Sequence, residues 1–236
     1  MMTKENDASP DPERIRAMFG RIAPRYDLMN RVMTLGRDQA WRRATVESVA
    51  PPPGGRALDI GCGTGDLTIH LIRAGVGVAV GLDPVPDMLF SASSKISDQG
   101  TIPLLVRGDA LAVPFPDETF DCVVSAFVMR NIADLPAAIR ESRRVLRPGG
   151  RLGILELTPM RVPLISWLFR LYFHAIVPML GGWITGDRAA YEYLPASVDR
   201  FPTATMLSGL LSANGFTKIR FRRFMLATVA LHVAEK

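Results

Sequence analysis

The sequence predicts a doubly wound α/β domain, and three observations carry that expectation. There are five short apolar runs of strand length, helix-like segments between them, and a glycine-rich turn directly after the first run. The runs are "RALDI" (56–60), "GVAVGLD" (77–83), "IPLLVRGD" (102–109), "FDCVVSAF" (120–127) and "GRLGILEL" (150–157). Strands that read as continuous apolar runs are buried on both faces, as in a parallel sheet wrapped by helices. The helical segments run from Gly65 to Ala74, Val85 to Ser97 and Leu135 to Leu146. The last of them places Leu135, Ala138, Ile139, Ser142, Val145 and Leu146 at helical spacing. "RPGG" (147–150) then stops a helix whose last turn carries Arg143, Arg144 and Arg147, which suits the negative end of the helix dipole.

After the fifth run the alternation breaks. The segment "RVPLISWLFRLYFHAIVPMLGGWI" (161–184) is strongly apolar, but Arg170, His174 and Pro178 interrupt it, so it reads as a helical insertion and not a membrane span. The tail, "FTKIRFRRFMLATVALHVAEK", holds two β-like runs that suit a final hairpin at the sheet edge. With 236 residues, 48% of them hydrophobic and 22% charged, the chain reads as one globular domain. Residues 1–13 are polar, carry two prolines and are expected to lack fixed structure; residues 14–50 are expected to form an N-terminal helical cover, and 161–200 a helical insertion over the site.

Composition excludes several classes. The start of the chain lacks the apolar core of a signal peptide, and the two cysteines, Cys62 and Cys122, fall in predicted core elements. A disulfide framework is therefore not expected, and a reducing cytoplasm fits. No metal-ligand cluster is readable. The net charge of +5 suits nucleic acid, an anionic membrane surface or simple solubility, but the arginines are scattered and no basic run is interleaved with aromatics.

The glycine turn narrows the ligand. "LDIGCGTGDLT" (58–68) reads D-x-G-x-G-x-G from Asp59 to Gly65, and glycine at alternate positions lets the backbone turn sharply and approach a ligand closely. A dinucleotide fingerprint would need a third glycine where Asp66 stands, and a phosphate loop would need a lysine followed by serine or threonine. A carboxylate just before the turn is wrong for pyrophosphate and right for a ligand with positive charge. Asp83 ends the second run about 20 residues after the glycine loop, where an acid can accept hydrogen bonds from ribose hydroxyls, and Asp109 ends the third. A lone aspartate at a strand end is ordinarily an Asx-turn or a helix cap. Three acids and a glycine run at successive strand ends are not.

With these residues the chain resembles the class I S-adenosylmethionine-dependent methyltransferases. That resemblance implies a Rossmann-like, mostly parallel seven-stranded sheet with an antiparallel last strand. It places the methionyl group of S-adenosylmethionine by Asp59, Gly61, Gly63, Thr64 and Gly65, the ribose at Asp83, and the adenine at Asp109 and Ala110. It also accounts for "LRPGGRL" (146–152) as the entry to the fifth strand. Three further stretches, "MFGRIAPRYDLMNRVMTLGRDQAWRR" (18–43), "FVMRNIADLPAAIRESRRVLRPGGRL" (127–152) and "YEYLPASVDRFP" (191–202), look like the quinone-biosynthesis C-methyltransferases. The last looks more like the menaquinone branch than the ubiquinone one.

The resemblance implies C-methylation of a prenylated hydroquinone by a cytoplasmic enzyme that meets the inner membrane face peripherally, with a homodimer left open. Its rivals are the ubiquinone-branch quinol, another lipophilic phenol, or a non-catalytic cofactor-binding scaffold. The fourth run ends in "SAFVMRN", without the N-P-P-Y-type sequence of amino-group methyltransferases, which argues against a nucleic-acid substrate. In such a reaction Arg130 would hold a phenolate, Asn131 would orient a water, and Tyr26 with Asp27 would close over the donor. Neither His174 nor His232 is assigned as the base. Two departures from the family pattern stand out: F-G-L-R-N becomes Phe127-Val128-Met129-Arg130-Asn131, and a glycine pair is missing from "FMLATVALH".

Overall fold

The computed structural model describes residues 11–98, 104–159 and 187–236, together with 177, 179, 181 and 183. Its centre is β1 (Arg56–Ile60), which has parallel neighbours on both sides: β2 (Val78–Asp83) and β4 (Phe120–Ala126). β3 (Leu104–Arg107) pairs parallel outside β2, and β5 (Leu146–Leu157) parallel outside β4. The tail forms a hairpin of β6 (Thr217–Phe224) and β7 (Val229–Glu235), with β7 inserted antiparallel between β5 and β6. The resulting seven-stranded order is β3-β2-β1-β4-β5-β7-β6. The order reverses between β1 and β4, and ligands of open α/β sheets bind beyond the strand ends at such a switch point.

Helices cover both faces of the sheet. Leu58 and Ile60 of β1 join Leu82, Phe120 and Val123 beneath α6 (Leu135–Val145) and α8 (Ala204–Ala213), whose Ala138, Ile139, Leu207 and Leu211 are fully buried. On the other face, Ala57 and Val124 pack beneath α3 (Arg37–Val49) and α4 (Asp66–Arg73), through Trp41, Val46, Val49 and Leu71. Three elements lie over the strand ends: α1 (Pro12–Ile22), α2 (Tyr26–Thr34) and α7 (Arg188–Arg200). Met18, Ile22, Met29, Tyr191, Leu194 and Val198 form their common core. The remaining helix, α5 (Pro86–Ser97), links β2 to β3 and flanks the β2 side.

The polar start is helical from Pro12, not unstructured to residue 13. Proline suits a first helical position, and Asp11 accepts a hydrogen bond from the Glu13 amide as a cap. α6 stops at Val145, so Arg147 lies in β5 and reaches Asp121 at 2.7 Å instead of capping the helix. β3 ends at Arg107, two residues before Asp109, which instead makes an isolated bridge with Ala112. Most of the 161–184 insertion, His174 included, lies outside the described residues.

The missing glycine pair has a structural counterpart. Met225, Leu226 and Ala227 follow β6 in succession with φ of 45°, 54° and 69°, a left-handed turn built without any glycine. Each such residue costs roughly 1–2 kcal/mol relative to a right-handed conformation. Leu226 is largely exposed, so its side chain contributes little burial in return. Leu226→Gly is therefore expected to stabilise the protein by about 1 kcal/mol, read as a rise in Tm of about 2–4 °C by calorimetry.

Candidate active site

The glycine turn leaves β1 with Gly61, Gly63 and Gly65 at φ of 67°, 53° and 84°, so all three glycines occupy the region that side chains disfavour. Gly61 is constrained twice, because a Cβ there would meet the Val128 side chain at 2.4 Å. The turn is tied to β2: the amides of Gly61 and Cys62 donate to the Leu82 carbonyl at 2.7 and 3.0 Å. Asp83, at the end of β2, accepts from the Gly63 amide through Oδ2 and from the Val85 amide through Oδ1, both at 2.9 Å. One carboxylate thus fixes the turn and the start of the next loop. Burial pushes its pKa up, against those two amide bonds.

A cleft of about 1020 Å³, its open mouth included, lies over these strand ends. Of the residues expected to hold the donor, Gly61, Gly63, Thr64, Asp83, Asp109 and Ala110 line it, and Asn131 joins them from the β4 side. Gly65 does not line it; it starts α4 instead. Asp59 is also away from the wall. It is buried, with Oδ2 accepting from the Thr68 hydroxyl at 2.7 Å and Oδ1 left without a partner. Asp109 lines the cleft but is shared: Oδ2 binds Arg16 of α1 at 2.6 Å and Oδ1 caps the Leu111 amide.

The charges of the cleft fit a cationic nucleoside better than a phosphate. Asp66, Asp83 and Asp109 line it against Arg16 and Arg42, and both arginines are already engaged, with Asp109 and Asp38. The carboxylate of Asp83 retains lone pairs for ribose hydroxyls after its two amide bonds.

A clamp that the spacing did not foretell closes one side of the cleft. Asp27 of α2 accepts from the Thr64 hydroxyl and is ion-paired with Lys95 of α5, which also binds Asp66 at 2.8 Å. Gln39 of α3 donates to Asp66 at 2.7 Å. Burial pushes the Asp66 pKa up, but Lys95, Arg42 and Gln39 outweigh it and hold the carboxyl below its ordinary value. The N-terminal helices are thereby bolted to the glycine turn by four elements' polar groups.

A second cavity of about 830 Å³ lies alongside, and Phe19, Tyr26 and Phe127 line both. Its wall is mostly apolar and aromatic: Met18, Ile22, Met33, Trp41, Tyr191, Tyr193 and Leu194 contribute. Phe127 stands between the two in a left-handed conformation (φ 62°), with Arg42 over its ring at 5.2 Å. Backbone strain of this kind gathers at binding and catalytic sites.

Two charged residues line the second cavity, Asp38, which is paired with Arg42, and Arg130. Its Nη1 donates to the Phe127 carbonyl and, at 2.8 Å, to Oε1 of Glu156; its backbone amide reaches Oε2 at 3.3 Å. Both side chains are at least nine-tenths buried, and Nε of Arg130 has no partner. Burial pushes the Glu156 pKa up, and Arg130 pulls it back. Next to this pair the Tyr193 hydroxyl donates to Oδ1 of Asn131 at 3.2 Å. Of the three residues expected to act in catalysis, Tyr26 lines both cavities, Asn131 the first and Arg130 the second.

Glu156 and Tyr193 were missed by sequence reasoning, although a lone acid inside the apolar fifth strand run was a readable signal. Neither cavity is lined by a histidine among the described residues. His232 is buried on β7, stacked on Phe221 at 5.1 Å, with Nε2 positioned to donate to the Ala204 carbonyl; burial lowers its pKa. Cys122 is a buried strand residue whose thiol pKa burial pushes up to about 12, so it is not a nucleophile.

The position of Asp59 makes a pH prediction. Burial, opposed by Thr68 and Arg42, raises its pKa from 3.8 to about 7. A raised folded-state value means that the folded chain keeps a proton the unfolded chain has lost, so stability falls as pH rises from about 4 to about 7. Urea unfolding of wild type and Asp59→Asn across that range should show wild type losing a few kcal/mol relative to the variant, with no further change above it.

Comparison with known proteins agrees with this geometry. The sequence model of the ubiE/COQ5 methyltransferase family matches residues 4–236. A demethylmenaquinone methyltransferase of Roseiflexus castenholzii is 42% identical over 225 residues, covering 95% of this chain and 94% of that protein. The ubiquinone/menaquinone biosynthesis C-methyltransferase UbiE of Paracoccus denitrificans is 34% identical over 94% of this chain and 90% of its own. Among solved structures, a SAM-dependent methyltransferase from Thermotoga maritima superposes with a TM-score of 0.65 at 17% identity, covering 93% of this chain and 99% of that one.

Proposed function

Because the chain belongs to the ubiE/COQ5 methyltransferase family, and so is an S-adenosylmethionine-dependent C-methyltransferase of quinone biosynthesis, we propose that its acceptor is demethylmenaquinol, which it converts to menaquinol. The observation that carries this reading is the pair of cavities that share Phe19, Tyr26 and Phe127, one walled by the glycine turn and Asp83, the other aromatic. Relatives named for demethylmenaquinone share 41–42% of their residues with this chain, whereas those named UbiE share 34–39%, which favours the naphthoquinol over the benzoquinol.

When bound, S-adenosylmethionine supplies a methyl group made electrophilic by its sulfonium. The chain's own residues do the rest. Asp83 accepts the ribose hydroxyls, and the Gly61 to Thr64 turn, held by Asp83 and by the Asp27–Lys95–Asp66 clamp, takes the amino-acid end. The aromatic wall of Trp41, Phe127 and Tyr193 orients the acceptor ring and keeps bulk water off its face. Arg130 donates from Nε to the ring oxygen, stabilising the phenolate that makes the adjacent carbon nucleophilic. Its charge is already balanced by Glu156, so it acts there as a fixed donor. Asn131, held by Tyr193, orients the water that receives the ring proton.

The test is an acceptor series with purified protein and labelled S-adenosylmethionine: demethylmenaquinol, the demethylated ubiquinol precursor and a simple phenol, each chemically reduced. Faster transfer to the naphthoquinol supports the proposal. Equal or greater transfer to the benzoquinol moves the chain to the ubiquinone branch.

A further inference from the structure

α2 has two faces of opposite use. Tyr26, Asn30, Met33 and Thr34 face inward and line the aromatic cavity, and Met29 is fully buried. The other face carries Leu28, Val32 and, just past the helix end, Leu35, exposed by 55%, 37% and 81%. Spacing of four and three residues stacks them in one stripe. Leu35 is costly on two counts, since its backbone is left-handed (φ 52°), where glycine or asparagine is usual, and its large apolar side chain is given to solvent.

The charge around the stripe has one sign. Every exposed charged residue from Arg21 to Arg37 is an arginine: Arg21, Arg25, Arg31 and Arg37. The one acid of that stretch, Asp27, is turned to Lys95, and the next, Asp38, to a buried pair with Arg42. Arg21 and Arg31 each have a carboxylate neighbour, Asp187 and Asp66. An apolar stripe rimmed by arginines, on a short amphipathic helix, complements an anionic lipid surface. Among the described residues no helix is long and apolar enough to cross a membrane, so contact through this face would be peripheral.

We propose that the outer face of α2 docks this protein on an anionic bilayer, with Leu28, Val32 and Leu35 entering the headgroup boundary and the flanking arginines meeting phosphate. The inner face of the same helix walls the aromatic cavity, so docking sets that cavity about one helix diameter, roughly 10 Å, from the lipid. The use of this arrangement, delivery of a prenylated acceptor, rests on the quinol reading above; the docking does not.

Flotation with vesicles tests it. Wild type should partition onto mixed phosphatidylcholine and phosphatidylglycerol vesicles, weakly onto pure phosphatidylcholine, and less as salt rises. Leu35→Asn suits the left-handed backbone, so its Tm should hold or rise while its vesicle affinity falls about tenfold, the loss expected for one leucine leaving the lipid boundary. Arg37→Glu should weaken binding mainly at low salt. Partition of Leu35→Asn equal to wild type, indifference of wild type to the anionic lipid, or a dimer in sedimentation that Leu35→Asn dissolves would each overturn the proposal. Methylation of a short-chain quinol in detergent, measured on the same variants, separates the two readings: it should be unchanged in Leu35→Asn, and its absence in wild type would sink the acceptor assignment alone.

Discussion

Asp83→Ala is expected to abolish methyl transfer at ordinary donor concentration, with the Kd for S-adenosylmethionine rising at least about 100-fold. The carboxylate has two duties that fail together. It accepts the Gly63 and Val85 amides, both at 2.9 Å, and these bonds hold the glycine turn and the loop after β2 in place. It is also the acceptor proposed for the ribose hydroxyls. Hydrogen bonds to a charged partner are each worth about 1.5–3 kcal/mol, so losing two toward the ligand accounts for the fall in affinity before any shift of the turn is counted. Calorimetric titration of the donor measures it directly, and Asp83→Asn, which keeps the size and one acceptor oxygen, should lie between. Donor affinity unchanged in Asp83→Ala would remove Asp83 from the site.

The second large effect is expected from Glu156→Ala. Its partner Arg130 would be left as a buried cation with no carboxylate, and breaking a buried pair from one side costs about 3–5 kcal/mol, a large share of the roughly 5–15 kcal/mol available to a folded domain. Unfolding by urea should show this loss. Glu156→Gln keeps the shape and one acceptor oxygen, enough for the Leu157 amide or the Arg130 amide but not both, so it should fold better than alanine. It should still lower kcat for the quinol more than it raises the Kd for the donor, because it frees the Arg130 charge next to the acceptor cavity and loosens its aim. A merely structural Glu156 would predict the Gln variant to match wild type in kcat once folded.

Much of the glycine-walled cleft was legible because backbone needs write themselves into residue type. Three alternate glycines announced three left-handed positions, and an acid at the end of β2 announced a hydrogen-bond acceptor facing the cleft. Asp59 shows where that reasoning stopped: its place in the pattern pointed at the ligand, yet the β1 alternation turns it toward α3 and α4, where Thr68 and Arg42 surround it. Asp109 lines the cleft, but sequence spacing says nothing of Arg16, 93 residues away, which reaches the same carboxylate.

The aromatic cavity depended on contacts between distant segments. Tyr193 meets Asn131 across 62 residues, and Glu156 meets Arg130 only because β4 and β5 pair side by side. The clamp of Asp27, Thr64, Asp66 and Lys95 unites α2, the glycine turn, α4 and α5. No local period encodes such a meeting, since it is decided by how the cover helices settle over the strand ends. The departures at Val128 and at 225–227 were visible as departures, and the structure gives each a physical content: a side chain pressed on Gly61, and a strained turn beside the cavity.

On the proposed function, methyl transfer goes to a ring carbon of the quinol where the two cavities meet at Tyr26 and Phe127. The most direct test is transfer from methyl-¹³C S-adenosylmethionine to reduced demethylmenaquinol, with the product read by carbon NMR, for wild type and Asp83→Ala side by side. A signal at the aryl-methyl position in wild type, absent in the variant, is the predicted result. A methoxy signal would place the methyl on oxygen instead, and labelled product undiminished in Asp83→Ala would remove this cleft as the donor site.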